Sequence, residues 1–498
     1  MLRKTVKELG FHSLLYMVGG LASSLASIVL LPVYTRYLSP EDYGIIEIID
    51  SIRSLLIVIL LAGFVPATAK FYKSSESLDE QKAVVGTSFW FICISSLLWS
   101  LGLFFFNRTA SRLLLGEASL AVFINLGIVL LFFQAMLTTG NNYLNIQKKS
   151  KLFLVASLLK LVLNIGANLL FIVVMHLGAK GMLYGELLST GVVGLWLIIY
   201  VGRHNSFPLR LSMLRSMMKF GLPFIPNALS SSLMHRVDRY LLRELGSLSD
   251  VGIYGLGYRF PFMLNFLILG SFGRIWNAAA MYEIAKQEHY QRTFAKITTY
   301  FMTLYVVCQY SMIVMAPTMI KIIAAPDYFE AWKIVQIVGL GMCLYSFHQF
   351  FIIGAFIKNK TWYLPIAYTL SAAVNIALNW LLIPRYGYIA AAWTTVATYA
   401  VFSFSGYALF QKIYPIPFEF RRLTVLFVLG SALALLNNLY FFPDAVLECL
   451  KELVFAAAFP LILLISPYLN CEERGSLREE LHKIHPGLAA LYSTLRRS

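Results

Sequence analysis

The segment Leu31-Pro32-Val33-Tyr34-Thr35-Arg36-Tyr37-Leu38-Ser39-Pro40-Glu41-Asp42-Tyr43-Gly44 is a short polar turn between two long apolar runs, one beginning near residue 13 and the next near residue 45. Each run supplies the roughly 20 mostly apolar residues that a helix needs to cross the hydrocarbon of a bilayer. The first follows the basic start Arg3, Lys4 and Lys7. It is too long for the apolar core of a signal peptide and flows directly into the second run, so it reads as a retained transmembrane helix.

The pattern repeats outward along the chain. Apolar runs begin near residues 13, 45, 83, 119, 152, 181, 219, 251, 297, 332, 362, 387, 422 and 447, which gives about 14 spans. The last is unusual in starting among Glu448, Lys451 and Glu452. Of 498 residues, 58% are apolar and 13% charged, with a mean hydropathy of +0.70. A soluble chain needs a charged shell of about a quarter of its residues. The fold class is therefore an all-α polytopic membrane protein, and membrane lipids are its solvent.

The net charge of +16 does not point to nucleic acid, because the basic residues gather in short loops between spans, the pattern that sets membrane topology. With the N-terminus in the cytoplasm, the inner segments hold most of the Lys and Arg, among them Lys148, Lys149, Lys151, Arg203, Arg210, Arg215, Arg421 and Arg422. The outer loops hold few: Arg36, Arg108, Arg112, Lys180, Arg239, Arg243, Lys321 and Arg385. Both termini are expected in the cytoplasm, with the chain in the cell membrane. No inter-span loop is long enough for a separate catalytic domain. The five cysteines, Cys93, Cys308, Cys343, Cys449 and Cys471, lack metal-ligand spacing, so neither a metal site nor a disulfide framework is expected.

A repeat of about two hundred residues runs through the chain. Arg36-Tyr37-Leu38 and Tyr43-Gly44-Ile45 in the first half match Arg239-Tyr240-Leu241 and Val251-Gly252-Ile253 in the second, offset by 203 at the arginines and 208 at the glycines. Asn164 and Asn168 match Asn375 and Asn379 at an offset of 211, each pair being followed by a turn, at Gly178 and Gly387. Six spans separate the matched members, so the copies share one orientation. The expected organisation is an N-terminal six-helix lobe (1–215), a second six-helix lobe (216–412), two further transmembrane helices (413–470) and a cytoplasmic tail (471–498). In that tail Leu477, Leu481, Ile484, Leu488, Leu491 and Leu495 form an amphipathic stripe suited to a membrane surface. Parallel lobes flanking a cleft that opens to each side in turn are transporter architecture.

Ionisable groups in hydrocarbon cost several kcal/mol, so they should face a cavity or a partner. The second span carries Glu47, Asp50 and Arg53 at a spacing of three. The fifth carries Lys160, the sixth Glu186, the seventh His235, Arg236 and Asp238, and the eighth Arg259. Arg53 and Arg259 lie at similar depth in matched helices, where two guanidiniums can hold the phosphates of a lipid diphosphate. The alternative is that Arg53 pairs with Asp50, and Arg259 with another acid, gluing helices together. Arg236 and Lys160 either line the same cavity as further cations or pair with acids on neighbouring helices. Glu47, Asp50, Asp238 and Glu186 either carry a coupling H+ or Na+ or only balance neighbouring arginines. The asparagine pairs read as interhelical hydrogen-bond partners. Gly221, Pro223 and Pro226 should bend the seventh helix.

The segment 31–44 resembles the first-loop signature of bacterial polysaccharide flippases, which belong to the multidrug/oligosaccharidyl-lipid/polysaccharide exporter superfamily. Asp238-Arg239-Tyr240 followed by Val251-Gly252-Ile253-Tyr254 is similar to the same family's junction of the seventh and eighth helices. The resemblance implies a flippase, not an enzyme, that carries undecaprenyl-diphosphate-linked oligosaccharide from the cytoplasmic to the outer leaflet by alternating access through a cationic central cleft. It implies other polysaccharide-assembly proteins as partners, and no cofactor. A cation-coupled multidrug exporter of the same superfamily is the nearest alternative, but it needs acids dominating its cavity. A membrane-embedded polysaccharide polymerase or ligase needs a large outer loop or a soluble domain. No phosphate-binding Gly-Lys-Ser/Thr loop occurs.

Overall fold

The computed structural model describes residues 29–205 and 209–470, together with residues 15, 19, 20, 473–475 and 479. Most of the first expected span and the amphipathic stripe of the tail lie outside the described residues. The main helices are α1 (Leu31–Tyr37), α2 (Pro40–Leu61), α3 (Phe64–Ser74), α4 (Leu78–Phe105), α5 (Asn107–Leu115), α6 (Ala121–Ile146), α7 (Ser150–Asn168) and α8 (Gly178–His204). They continue as α9 (Leu211–Gly221), α10 (Ile225–Leu245), α11 (Leu248–Ile275), α12 (Tyr290–Ile323), α13 (Ala331–Phe351), α14 (Leu364–Gln411), α15 (Phe420–Asn437) and α16 (Ala445–Ile465). No strand occurs among the described residues. The chain is an all-α polytopic membrane protein.

Among the described residues, nine helical stretches are long and apolar enough to cross a membrane. Some of the remaining expected spans are excluded by charge or fused to a neighbour. α16 carries Glu448, Lys451 and Glu452 in its first half, and α14 contains two expected spans in 48 residues, broken at Gly387. Gly387 has φ +58 and its repeat partner Gly178 φ +56, a backbone conformation that favours glycine.

The chain forms two compact units. The first comprises Met1–Leu256, Ile323–Ala331 and Trp362–Val401. Within it the repeat is visible as hydrogen bonding. Ser39 caps α2 by accepting from the Asp42 N–H at 3.1 Å, while the Ser39 N–H donates to Asp42 Oδ2 at 3.3 Å. Ser247 and Asp250 form the same reciprocal box at the start of α11, both distances being 3.1 Å. Asn164 Nδ2 donates to Ser189 Oγ at 3.2 Å across the Gly178 turn, and Asn375 Nδ2 to Thr398 Oγ1 at 3.0 Å across the Gly387 turn. The asparagines are thus interhelical partners.

Two helices in this unit are interrupted at the same level. α2 gives way to α3 at Ala62 and Gly63, with φ of +46 and +70. α9 gives way to α10 through a 3-10 turn at Leu222–Phe224, where Gly221, Pro223 and Pro226 predict an interruption. The two breaks touch: a Cβ on Gly63 would lie 2.1 Å from the Gly221 carbonyl oxygen.

The second unit comprises Gly257–Ile322, Trp332–Thr361 and Phe402–Ser498. Its core is aromatic, with Phe272 at 4.2 Å from Phe301 and Trp276 at 5.7 Å from both Phe294 and Phe350, measured between ring centroids. The crowded charges of α16 face inward here. Pro317 has no N–H, which strands the Ile313 carbonyl one turn earlier in α12. Gln336 Nε2 fills that vacancy at 2.9 Å, and Asn438 Nδ2 holds the Gln336 Oε1 at 2.7 Å. The Thr318 N–H donates to Glu452 Oε1 at 3.3 Å. Glu448 takes Lys451 Nζ at 2.9 Å and the Phe442 N–H at 2.9 Å. The backbone groups around Pro317 therefore attach the last two helices to this unit through partly buried polar bonds. Beyond α16, Arg422 clamps Glu473 through two bonds of 2.9 and 3.0 Å. Burial pushes the Glu473 carboxyl up, but the Asn470 N–H, Arg422 and Tyr300 outweigh it and hold the group below the usual range.

Replacing Gln336 with Leu leaves the Ile313 carbonyl without a donor and should cost about 1–3 kcal/mol of stability. In a Pro317→Ala background the helix supplies that donor itself, so the same replacement should cost less. Thermal unfolding of the four proteins in detergent checks this, and equal losses in both backgrounds would contradict it.

Candidate functional site

The polar residues expected in the membrane converge in the first unit into two adjoining clusters. In one, Arg53 Nη2 donates to Asp50 Oδ1 at 2.9 Å, one turn earlier on α2, and to Glu186 Oε1 at 2.7 Å on α8. A single nitrogen thus serves both carboxylates. Nε and Nη1 of the same guanidinium are buried and have no hydrogen-bond partner among the described residues. The Arg53 side chain is 9% exposed, while those of Asp50 and Glu186 are 26% and 27% exposed. Asp50 lies ten residues into α2, about 15 Å from its start. A carboxylate exposed at that depth must border a polar space, because hydrocarbon would not tolerate it.

Lys160 on α7 lies in the field of Glu186, Arg53 and Asp50, and Arg236 on α10 in the field of Asp50. Neither cation makes a hydrogen bond or a contact ion pair among the described residues. Arg259 is half-buried on the part of α11 that belongs to the second unit.

The second cluster joins the repeat halves. Glu47 on α2 approaches Arg239 on α10 at 3.8 Å. Arg239 also donates to Asp238 Oδ1 at 2.7 Å, and Tyr254 on α11 donates to Asp238 Oδ2. The Arg239 guanidinium lies 5.1 Å from the Tyr254 ring. Arg239, expected in an outer loop, is inside α10 and 2% exposed. Asp238-Arg239-Tyr240 has the polarity of a helix end, yet α10 continues past it to Leu245. Only the carboxylates of Glu47 and Asp238 reveal it as buried. His235 Nδ1 is 2.8 Å from the Tyr399 hydroxyl.

Backbone contacts hold this cluster closed. A Cβ on Gly44 would meet the Leu248 carbonyl oxygen at 1.9 Å, and one on Gly252 would meet the Pro40 carbonyl oxygen at 1.9 Å. Pro40 and Gly44 correspond to Leu248 and Gly252 at the single offset of 208, so matched helix starts cross each other about a local two-fold axis. Gly255 opens a notch for Glu47, whose Cγ would lie 2.5 Å from an added Cβ. Nearby, the Tyr328 hydroxyl donates to the Leu38 carbonyl at 3.0 Å, and Thr35 Oγ1 to the Ile323 carbonyl at 3.3 Å. This end, which the loop charges predict to be outer, is shut.

Comparisons with known proteins find a family match and structural neighbours of similar fold. The family model described as polysaccharide biosynthesis protein matches residues 33–333. No curated protein matches the chain. Among solved structures, the lipid II flippase MurJ in an inward closed conformation superposes with a TM-score of 0.69 at 13% identity, covering 92% of this chain and 98% of that one. An inward-facing multidrug resistance MATE family transporter of the MOP superfamily gives 0.65 at 17% identity, covering 80% and 94%. A MOP superfamily transporter from Pyrococcus furiosus, described as having a binding pocket of reverse polarity, gives 0.59 at 16% identity, covering 82% and 95%. At these identities the likeness is one of fold.

The glycine crossing yields a direct test. A cysteine at Val251, which is 0% exposed, should resist a water-soluble maleimide when the five native cysteines are replaced. Adding Gly44→Val forces the crossing apart, and labelling should then rise about tenfold or more. Equal protection with and without Gly44→Val would show that the crossing does not hold this end shut.

Proposed function

We propose that this chain, which belongs to the polysaccharide biosynthesis protein family, is a flippase. Its substrate on this reading is undecaprenyl-diphosphate-linked oligosaccharide, which it moves from the cytoplasmic to the outer leaflet of the cell membrane by alternating access. The observation that carries the reading is the donor set left open at membrane depth. Arg53 has two buried guanidinium nitrogens, Nε and Nη1, with no hydrogen-bond partner among the described residues, and Lys160 and Arg236 lie in the field of its carboxylates without a contact ion pair among those residues. Donors in low dielectric without an acceptor are costly, and a diphosphate supplies acceptors of the right charge. Arg259, on the second unit, stays a proposed substrate-binding cation from its place in the sequence alone. The crossing at Gly44 and Gly252 serves as the gate on the outer side, and the breaks at Gly63 and Gly221 let the gating helices bend.

A lipid II flippase among the structural neighbours supports a lipid-diphosphate cargo, since that protein carries its function in its name. Both termini are placed in the cytoplasm on this reading, and the surrounding lipids and other polysaccharide-assembly proteins are its partners. A second reading, a cation-coupled multidrug exporter, draws on the partly exposed carboxylates of Asp50 and Glu186 and on the MATE neighbours. In that case the carboxylates, not the basic residues, would meet the cargo and the coupling H+ or Na+.

Deleting the gene should cause lipid-linked oligosaccharide to build up on the cytoplasmic face, as read by extraction and by access to a membrane-impermeant reagent. Complementation by Arg259→Ala or Lys160→Ala should fall about tenfold or more, with the protein still present in the membrane. Absence of the build-up would defeat the flippase reading. Drug sensitivity in its place would favour the exporter.

A further inference from the structure

The candidate site is not cationic as it stands. Within the first unit, Arg53, Lys160, Arg236 and Arg239 are matched by Glu47, Asp50, Asp238 and Glu186, so with every group ionised these charges cancel. Two of these carboxylates differ from the rest. Glu47 and Asp238 are 4% and 1% exposed and locked around Arg239, which binds them through the closed end. Asp50 and Glu186 are partly exposed and share one nitrogen of Arg53. They occupy the guanidinium as an anionic ligand would, from two different helices, and leave its other two nitrogens without a hydrogen-bond partner among the described residues.

An incoming diphosphate diester carries two negative charges. Bound beside Arg53 with Asp50 and Glu186 ionised, it would meet two like charges on the same guanidinium and give the site a net negative charge in low dielectric. With those carboxyls protonated, the whole fork of Arg53 and the ammonium of Lys160 turn to the phosphates, and the site stays neutral. Resting on the flippase reading, we infer that Asp50 and Glu186 are resident counter-anions that compete with the substrate's phosphates for Arg53, so that binding of the anionic head group takes up protons onto these two carboxyls. The groups that set this competition are Glu47, Asp50 and Arg53 on α2, Lys160 on α7, Glu186 on α8 and Arg236 on α10. Ligand and protons then assist each other reciprocally: protonation removes the competitor, and a carboxylate displaced from its cation holds a proton more firmly. The sign is fixed by this scheme. Affinity for the anion rises as pH falls through the titration of the pair and declines as pH rises above it. The two carboxylates also set specificity, since a neutral or cationic head group gains nothing from displacing them.

The test uses the full chain in lipid nanodiscs and farnesyl diphosphoglucose as probe, a diester whose phosphates stay ionised between about pH 5.5 and 8. Calorimetry in two buffers of different ionisation enthalpy should show proton uptake on binding to the wild type. The probe should bind about tenfold or more tightly at the acid end than at the alkaline end. Asp50→Asn with Glu186→Gln keeps the shape and removes the competing charge. It should bind the probe as tightly at about pH 8 as the wild type does at about pH 5.5, with no proton uptake. Binding by the wild type without proton uptake, or an affinity that follows sodium rather than pH, overturns the inference and leaves the flippase reading intact. Failure of the probe to bind either protein at any pH overturns both. The wild-type calorimetry decides the matter even where the double variant does not fold.

Discussion

The constraint on which the rest of the structure depends is the cost of leaving an ion unpaired in hydrocarbon. Three groups of charges lie within the helices, and each makes a contact with another helix. Glu47 and Asp238 flank Arg239 where the matched helix starts cross. Asp50 and Glu186 flank Arg53 half-way along α2. Glu448 and Lys451 pair at the start of α16, while Glu452 turns to a backbone N–H of α12. The first and third are sealed, and they fasten helices. The second is open on one side and incompletely bonded, the condition expected of a site that exchanges partners.

The repeat converts that constraint into a moving part. At Gly44 and Gly252 the two backbones meet with no side chain between them, which lets the helix starts cross this closely. The cost of parting falls on Glu47 and Arg239. Their 3.8 Å approach is looser than the 2.7 Å bond from Arg239 to Asp238, so Arg239 keeps a carboxylate on its own helix when the ends separate. The capping boxes at Ser39 and Ser247 keep both helix starts satisfied in either state.

Much of this was legible in the sequence because it is local. Apolar runs of span length, the 208-residue offset between Gly44 and Gly252, the asparagine pairs and the Gly221–Pro226 interruption all declare themselves within a short window. What stayed hidden depends on contacts far apart in the chain. Arg239 looked like a loop residue since nothing near it in sequence except Asp238 can neutralise it. The load of charge on α16 made sense only once Pro317, more than a hundred residues earlier, left backbone groups to be satisfied. Arg53 was recognisable as a buried cation, and Asp50 as its neighbour, but Glu186 as a second claimant on the same nitrogen required the packing of α2 against α8.

The central claim is that a diphosphate-linked glycan crosses the bilayer through this chain because its charged head is accommodated by the basic groups at membrane depth. The most direct measurement places such a lipid in one leaflet of liposomes containing the purified protein and follows its arrival in the other with an impermeant glycan-modifying enzyme. The account predicts transfer well above that of protein-free vesicles for the diphosphate-linked glycan, and none above it for the same lipid with a neutral linkage. Equal transfer of both lipids, or of neither, would contradict it.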